Sequence, residues 1–355
     1  MSGQISREKL EALLRDAVRA PSGDNVQPWR FRLKDSTLML YNIPGIHNPD
    51  LDFEERGAYV AHGAFIENIL ISAPHYGYAV TVDLFPDVCD PDLVACLSFT
   101  EREAYDDPLY PTLPLRATNH HPFQERPLNG EAAKAIASSV EGIPSVRLSL
   151  LTSREDREVV GRIASRVEVI ILEDESITES FFSGMVWTTR EERRRKSGLF
   201  VRSLEFNPVQ MGVFRLASNP HIMRVFRKIG LPQFIAHQDA KLYATGSAAG
   251  GILVPDDSKE SYLMAGRALE RVWLTTTAEG LAFQPLVGTC FVAYKSEVGK
   301  VVLSDPHARD MHKTFIEMKR LLRAEGEIPA LLFRIGFAPV PSVRSSRRDV
   351  FIESV

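Results

Sequence analysis

GAFIENILISAPHYGYAV, residues 63–80, aligns without a gap on GRALERVWLTTTAEGLAF, residues 266–283. Gly63/Gly266, Glu67/Glu270, Gly77/Gly280 and Ala79/Ala282 are identical, while Ile66/Leu269, Ile69/Val272, Ile71/Leu274 and Ser72/Thr275 are conservative. Any two buried helices look somewhat alike, so four identities alone do not establish a repeat. The shared order says more. Each copy reads as a helix apolar on nearly every side, then a glycine, then a strand. A helix with no polar face is normally buried. Two of them in one chain would pair across an internal pseudo-twofold, like a homodimer fused into one polypeptide.

Outward from the first copy, Leu10, Leu13, Leu14, Ala17 and Val18 mark one face of an opening helix that breaks at Pro21. A polar turn, Ser22-Gly23-Asp24-Asn25, leads into Gln27-Pro28-Trp29. Arg30–Leu33 and Leu38–Tyr41 read as strands around an Asp35-Ser36 turn. The first central helix is predicted from Gly57 to about Tyr78, with Pro74 kinking or stopping it. Strands are predicted at Val80–Phe85 and Leu93–Thr100. The proline-rich stretch Pro108 to Pro114 marks a boundary, giving halves at 1–110 and 111–355. In the second half, Val146–Leu151, Gly250–Val254 and Leu331–Phe337 read as strands, and Glu155–Val169 and Met264–Gly280 as helices. Between them, about 175–240 is irregular in pattern and is predicted to be an inserted lid. The predicted class is α+β.

The chain has 355 residues, 42 basic against 46 acidic side chains, 44% hydrophobic and 25% charged residues, and three cysteines. That excludes disordered, collagen-like and disulfide-scaffold classes. Its net charge of −4 argues against a dedicated nucleic-acid binder. The basic run Arg193–Lys196 follows Glu191 and Glu192, and reads as a solvated helix face. No apolar run reaches the ~20 residues of a membrane span. The polar amino terminus lacks an apolar signal core, and Cys89, Cys96 and Cys290 show no CxxC spacing. A soluble, reduced, cytoplasmic protein that meets no membrane is expected.

Ala20-Pro-Ser-Gly-Asp-Asn-Val-Gln-Pro-Trp-Arg-Phe31 resembles the flavin-contacting segment of the nitroreductase superfamily, roughly "PSxxNxQPWxF". Arg116-x-Thr118-Asn119 before Pro122-Phe123 resembles that superfamily's phosphate-binding opening. The order of segments and the terminal Ser345-Ser346-Arg347-Arg348-Asp349-Val350 are similar to the twin-nitroreductase, or Acg, branch, in which two halves share one polypeptide. The resemblance implies a nitroreductase-like fold, FMN as cofactor and NAD(P)H as hydride donor. It implies no catalytic side chain, because the chemistry occurs at flavin N5.

The residues suit those tasks. A phosphate needs arginine forks and hydroxyl donors, which Arg116, Thr118, Arg347 and Arg348 would supply. Taken alone, Arg347 and Arg348 read better as a solvated terminus, and the resemblance brings the phosphate reading level with it. His120 and His121 stand where relatives carry arginine or lysine. His120 as a phosphate donor would make affinity pH-dependent, and a metal reading of the pair lacks a third ligand. Ser22, Asn25 and Gln27 offer donors and acceptors to a pyrimidine edge from a rigid turn, with Trp29 left to packing. By resemblance, Pro285, Val287 and Gly288 present backbone to flavin N5. Lys241 is the candidate cation for the reduced ring's N1–C2 side, or else an exposed lysine.

The first half lacks an arginine–hydroxyl–phenylalanine opening of its own, and the second lacks a PSxxNxQPW. One FMN at the seam is therefore predicted where a homodimer would hold two, in a monomer acting as a pseudo-dimer. The expected function is hydride transfer from NAD(P)H through FMN to an electron-poor small molecule. The alternatives are an FMN store with a closed lid, and a scaffold that has lost flavin.

Overall fold

The computed structural model describes residues 5–34, 36–300 and 303–354, so Asp35 of the predicted turn lies outside the described residues. Helix α1 (Arg7–Ala17) buries Leu10, Leu13, Leu14 and Ala17 on one face, and the Ser6 side chain accepts from the Lys9 amide to cap it. Strands β1 (Trp29–Lys34) and β2 (Thr37–Asn42) follow, then the central helix α2 (Arg56–Ser72). Helix α2 ends at Ser72, short of the predicted Tyr78. Pro74 cannot extend the ladder, and Gly77 turns the chain at φ 83° into β3 (Tyr78–Leu84). Strand β4 (Leu93–Glu101) returns beside it.

The second half carries α3 (Gly130–Ser138), β5 (Arg147–Leu151) and α4 (Arg154–Glu173). The predicted irregular stretch is in fact mostly helical. It comprises α5 (Glu175–Ser183), β6 (Met185–Val186), α6 (Thr189–Arg195), β7 (Leu199–Phe200), α7 (Pro208–Ala217), α8 (Pro220–Lys228) and α9 (Leu231–Ala244). Pro208, Pro220 and Pro232 look like breakers in the sequence, but each sits in the first turn of a helix, where its missing N–H costs nothing. Then come β8 (Ala248–Val254), the second central helix α10 (Lys259–Ala278), β9 (Ala282–Pro285), α11 (Gly288–Glu297), α12 (Asp305–Leu322), β10 (Ile328–Gly336) and β11 (Ile352–Ser354).

Two sheets flank the paired central helices. One has strand order β11-β1-β2-β4-β3, the other β5-β8-β10-β9. Most of each sheet comes from one half, but β11 at the carboxyl end crosses over and pairs parallel with β1. Phe65 of α2 packs on Trp29 and Phe31 of the first sheet. Trp273 of α10 stacks on Phe283, and Phe283 on Phe333, of the second. Helices α2 and α10 cross at the duplicated glycines. A side chain on Gly63 would overlap the carbonyl oxygen of Leu263, and one on Gly266 that of Val60. Both pairs obey one sequence offset, as a pseudo-twofold requires. No helix among the described residues is long and apolar enough to cross a membrane.

Candidate active site at the seam

A cleft of about 990 Å³ opens where α1, the central helices, the inserted segment and the carboxyl tail converge. Its floor is apolar and comes from both halves: Val60 and Ala61 of α2, Leu269 and Trp273 of α10, and Phe291 of α11. Ten of the twelve residues the sequence nominated line it. They are Ser22, Asn25, Arg116, Thr118, His120, Pro285, Val287, Gly288, Arg347 and Arg348. Three stretches far apart in the chain therefore meet at one opening. Gln27 and Lys241 are not among the lining residues. Gln27 is buried behind the turn, and Lys241 lies exposed on α9.

The Ser22–Gln27 turn is strained, with φ of 47°, 56° and 53° at Asp24, Asn25 and Gln27. Its own polar groups hold it. Ser22 Oγ accepts from the Gln27 amide at 3.0 Å. The Gln27 side chain, expected to face a ligand, donates to Asn25 O and Lys196 O and accepts from the Arg348 amide at 2.8 Å. Asn25 donates to Ser346 O and accepts from Arg347 at 2.8 Å. Both amides thus lock the tail onto the turn, and Ser22 is the nominated residue there whose hydroxyl proton stays available.

Arg347 is half-buried and tied down by hydrogen bonds, so it is neither a solvated terminus nor an open fork. It donates to the carbonyls of Val18, Arg19 and Ala20, which follow the first helix. Burial and the nearby Arg116 charge bring its guanidinium down to about 9. Arg116 is 8% exposed, lies 4.5 Å over the Trp273 ring, and donates to Arg19 O. Its Nε is 3.2 Å from Oε1 of the fully buried Glu270, the residue duplicated from Glu67. Burial pushes Glu270 up to about 7, against the pull of Arg116. The pseudo-equivalent Glu67 is paired with Arg267 at 2.8 Å and with Arg271. The two ends of the seam have thus diverged. One is closed by arginines of α10, and the other opens into the cleft.

Several lining groups escaped sequence reading. Arg15 on α1 and Arg19 just beyond its end both line the cleft and are exposed. His47 and Asp52 form a buried pair, Nδ1 to Oδ2 3.9 Å, on the wall near Gly23. Behind His120 stand Gln284 and Arg334, neither of which carries a motif. The basic run is mixed in use: Arg195 pairs with Glu191 at 3.0 Å, while Lys196 turns left-handed at φ 50° and reaches Asp349 of the tail at 2.7 Å.

No protein-family model matches the chain. An uncharacterized Mycobacterium tuberculosis protein is 27% identical over 348 residues, 95% of this chain and 47% of its own length. The chain therefore spans about half of that relative. A second M. tuberculosis protein, provisionally named an NAD(P)H nitroreductase, is 24% identical over 97% of this chain and 90% of its own. The M. tuberculosis protein acg, with the same provisional name, is 24% identical over 94% of this chain and 91% of its own. Over most of its length the chain is similar to these provisionally named nitroreductases. Among solved structures, the FMN-dependent nitroreductase NfnB of Mycobacterium smegmatis matches 68% of this chain and 94% of its own, at 12% identity and a TM-score of 0.40.

Proposed function

We propose that this Acg-like chain binds one FMN in the seam cleft and acts as an NAD(P)H-dependent oxidoreductase on electron-poor small molecules. The observation that carries this reading is the convergence of the Ser22 turn, the Arg116–His120 segment and the Pro285–Gly288 turn on one apolar-floored cleft. Its volume is at the upper end for sites that hold drug-sized ligands, which leaves room for a planar cofactor and a second flat molecule. The names of the relatives point the same way.

The residues present fit FMN. Val60, Ala61, Leu269 and Trp273 offer a flat apolar slot to a tricyclic ring. Arg15, Arg19 and Arg116 line the cleft and offer positive charge suited to a phosphate, and Thr118 adds a hydroxyl. The first amides of α11, at Gly288 and Thr289, have no carbonyl partner within that helix and open beside the ring slot. Bound there, FMN supplies hydride chemistry at N5, and the protein supplies orientation, water exclusion and fixed charge. Arg267 and Arg271 close the opposite end around Glu67, which supports one flavin per chain acting as its own pseudo-dimer. We read the partners as NAD(P)H and a small acceptor, without nucleic acid. Purified protein is expected to be yellow, and NADPH is expected to bleach it without oxygen. Colourless protein that added FMN cannot tint would overturn the reading.

One observation favours a second reading, a flavin store. Residues of the inserted segment are clasped to the tail beside the cleft-lining Arg348 and Asp349. Lys196 pairs with Asp349 at 2.7 Å, Arg348 donates to Ser197 at 3.0 Å, and the Ser346 amide donates to Glu192 at 2.6 Å. If the clasp limits exchange, Lys196→Ala speeds FMN release several-fold, seen as rising free-flavin fluorescence after dilution. An unchanged release rate removes the clasp as a gate.

A further inference from the structure

His120 was expected to meet a phosphate with a titrating ring. The geometry behind it dictates something else. Arg334 on β10 is fully buried, and as a guanidinium it can only donate. Its Nε donates to Gln284 Oε1 at 2.7 Å, which fixes the orientation of that amide. Gln284 Nε2 therefore faces His120 Nδ1, 3.0 Å away, and donates to it. Nδ1 then holds a lone pair and the ring proton sits on Nε2. That nitrogen makes no hydrogen bond within the described residues, and His120 lines the cleft while Gln284 and Arg334 do not.

Arg334 is itself held firmly. It donates to Leu242 O at 2.7 Å, Thr245 Oγ1 at 3.0 Å and His121 O at 2.9 Å, and its plane lies 3.9 Å from the Phe123 ring centre. The titratable groups facing His120 are Arg334 and His121, and neither is acidic. Burial first, then those two neighbours, bring His120 down to about 4, so its ring is uncharged at neutral pH. Every dipole in the chain Arg334–Gln284–His120 points its positive end toward the cleft, and such chains strengthen one another.

We infer that His120 is a tautomer-locked N–H donor for the negative charge that a reduced flavin carries on its N1–C2 carbonyl side, with Gln284 and Arg334 as positioning residues. The inference rests on the FMN reading above. It gives His120 the task for which Lys241 was nominated, and substitutes a neutral donor with a buried cation behind it for an exposed ammonium. Such a donor favours the reduced state without attracting an anionic acceptor as an open cation would. Contact with a phosphate, by contrast, would favour oxidised and reduced FMN equally, because the phosphate does not change on reduction.

The test begins without flavin. In a long-range proton–nitrogen-15 spectrum of histidine-labelled protein, His120 is expected to show protonated Nε2 and bare Nδ1, unchanged from about pH 5 to about pH 8. A proton on Nδ1, or titration within that range, overturns the inference and leaves the FMN reading untouched. With FMN, His120→Leu is expected to leave oxidised binding within about twofold. It should weaken reduced binding about tenfold, a fall of about 30 mV in the two-electron midpoint potential. Gln284→Glu, which presents an acceptor to Nδ1 and moves the ring proton there, is expected to lower the potential similarly above the new ring pKa. Equal weakening of both redox states in His120→Leu overturns the inference in favour of a phosphate contact. Wild-type protein that binds no FMN overturns both.

Discussion

Replacing Gly63 or Gly266 with valine is expected to leave no cooperatively folded protein, and alanine at either position to cost about 3 kcal/mol or more. The reason is the obstacle. At each glycine a new Cβ would lie inside van der Waals contact of a carbonyl oxygen on the facing central helix, and backbone cannot rotate away as a side chain can. Overpacking a core costs about 1–3 kcal/mol when flexible neighbours adjust. Here α2 and α10 would have to separate, opening the apolar seam along their length, against a total stability of only about 5–15 kcal/mol. Gly280→Ala is the matched control from the same repeat. It sits at φ 70° with no atom within 4 Å of a new Cβ, so only the backbone conformation is penalised, by about 1 kcal/mol. Denaturant unfolding of the three variants measures the contrast. A Gly63→Ala protein as stable as Gly280→Ala would sink the close helix crossing.

Arg116→Ala is expected to lose both stability and flavin, for separable reasons. The guanidinium is the near counter-charge of the fully buried Glu270. Without it Glu270 loses the largest influence holding its pKa down and takes up a proton, leaving an unpaired buried carboxyl at a cost of about 1–3 kcal/mol. Adding Glu270→Gln, which has no proton to take up, is expected to restore part of the stability. FMN affinity should stay weak in the double variant if the Arg116 side chain also meets the phosphate, a loss of about 1.5–3 kcal/mol. Full recovery of binding would make Arg116 purely structural. The wild-type pH profile carries the same signature. Glu270 has a folded pKa raised from 4.5 to about 7. Its contribution is fully present below 4.5 and is lost as pH rises through about 7. The raised pKa corresponds to about 3 kcal/mol of stability lost over that window. Glu270→Gln should flatten that slope, and an unchanged slope would mean Glu270 is ionised throughout.

Much of the cleft lining was legible from residue type and order. The PSG turn, the Arg116 opening and the Pro285 turn carry side-chain chemistry or backbone shape that a ligand needs, and that survives in a linear pattern. What the turn's amides do was not legible. Asn25 and Gln27 suit a flavin edge and a carboxyl tail equally well, and only the tail's return beside β1 shows which partner they meet. Lys241 illustrates the converse: a cation of the right type, carried on α9 outside the cleft. The helices of the inserted segment were hidden by prolines, because a residue that breaks a helix interior also starts one, and composition does not say which.

The sequence by itself determined the duplicated central helices, the strands beside them and the three cleft-lining stretches, because periodicity, turn chemistry and repeated glycines are local properties of the chain. The duplicated Glu67 and Glu270 were visible too, but not their divergence. Tertiary structure alone decided that Arg267 and Arg271 neutralise one glutamate while Arg116 meets the other. It alone placed Arg334 and Gln284 behind His120, and so determined the proton on its ring. Charge balance and tautomer depend on what stands within a few ångströms, and in this fold those neighbours come from residues 50 to 200 positions away.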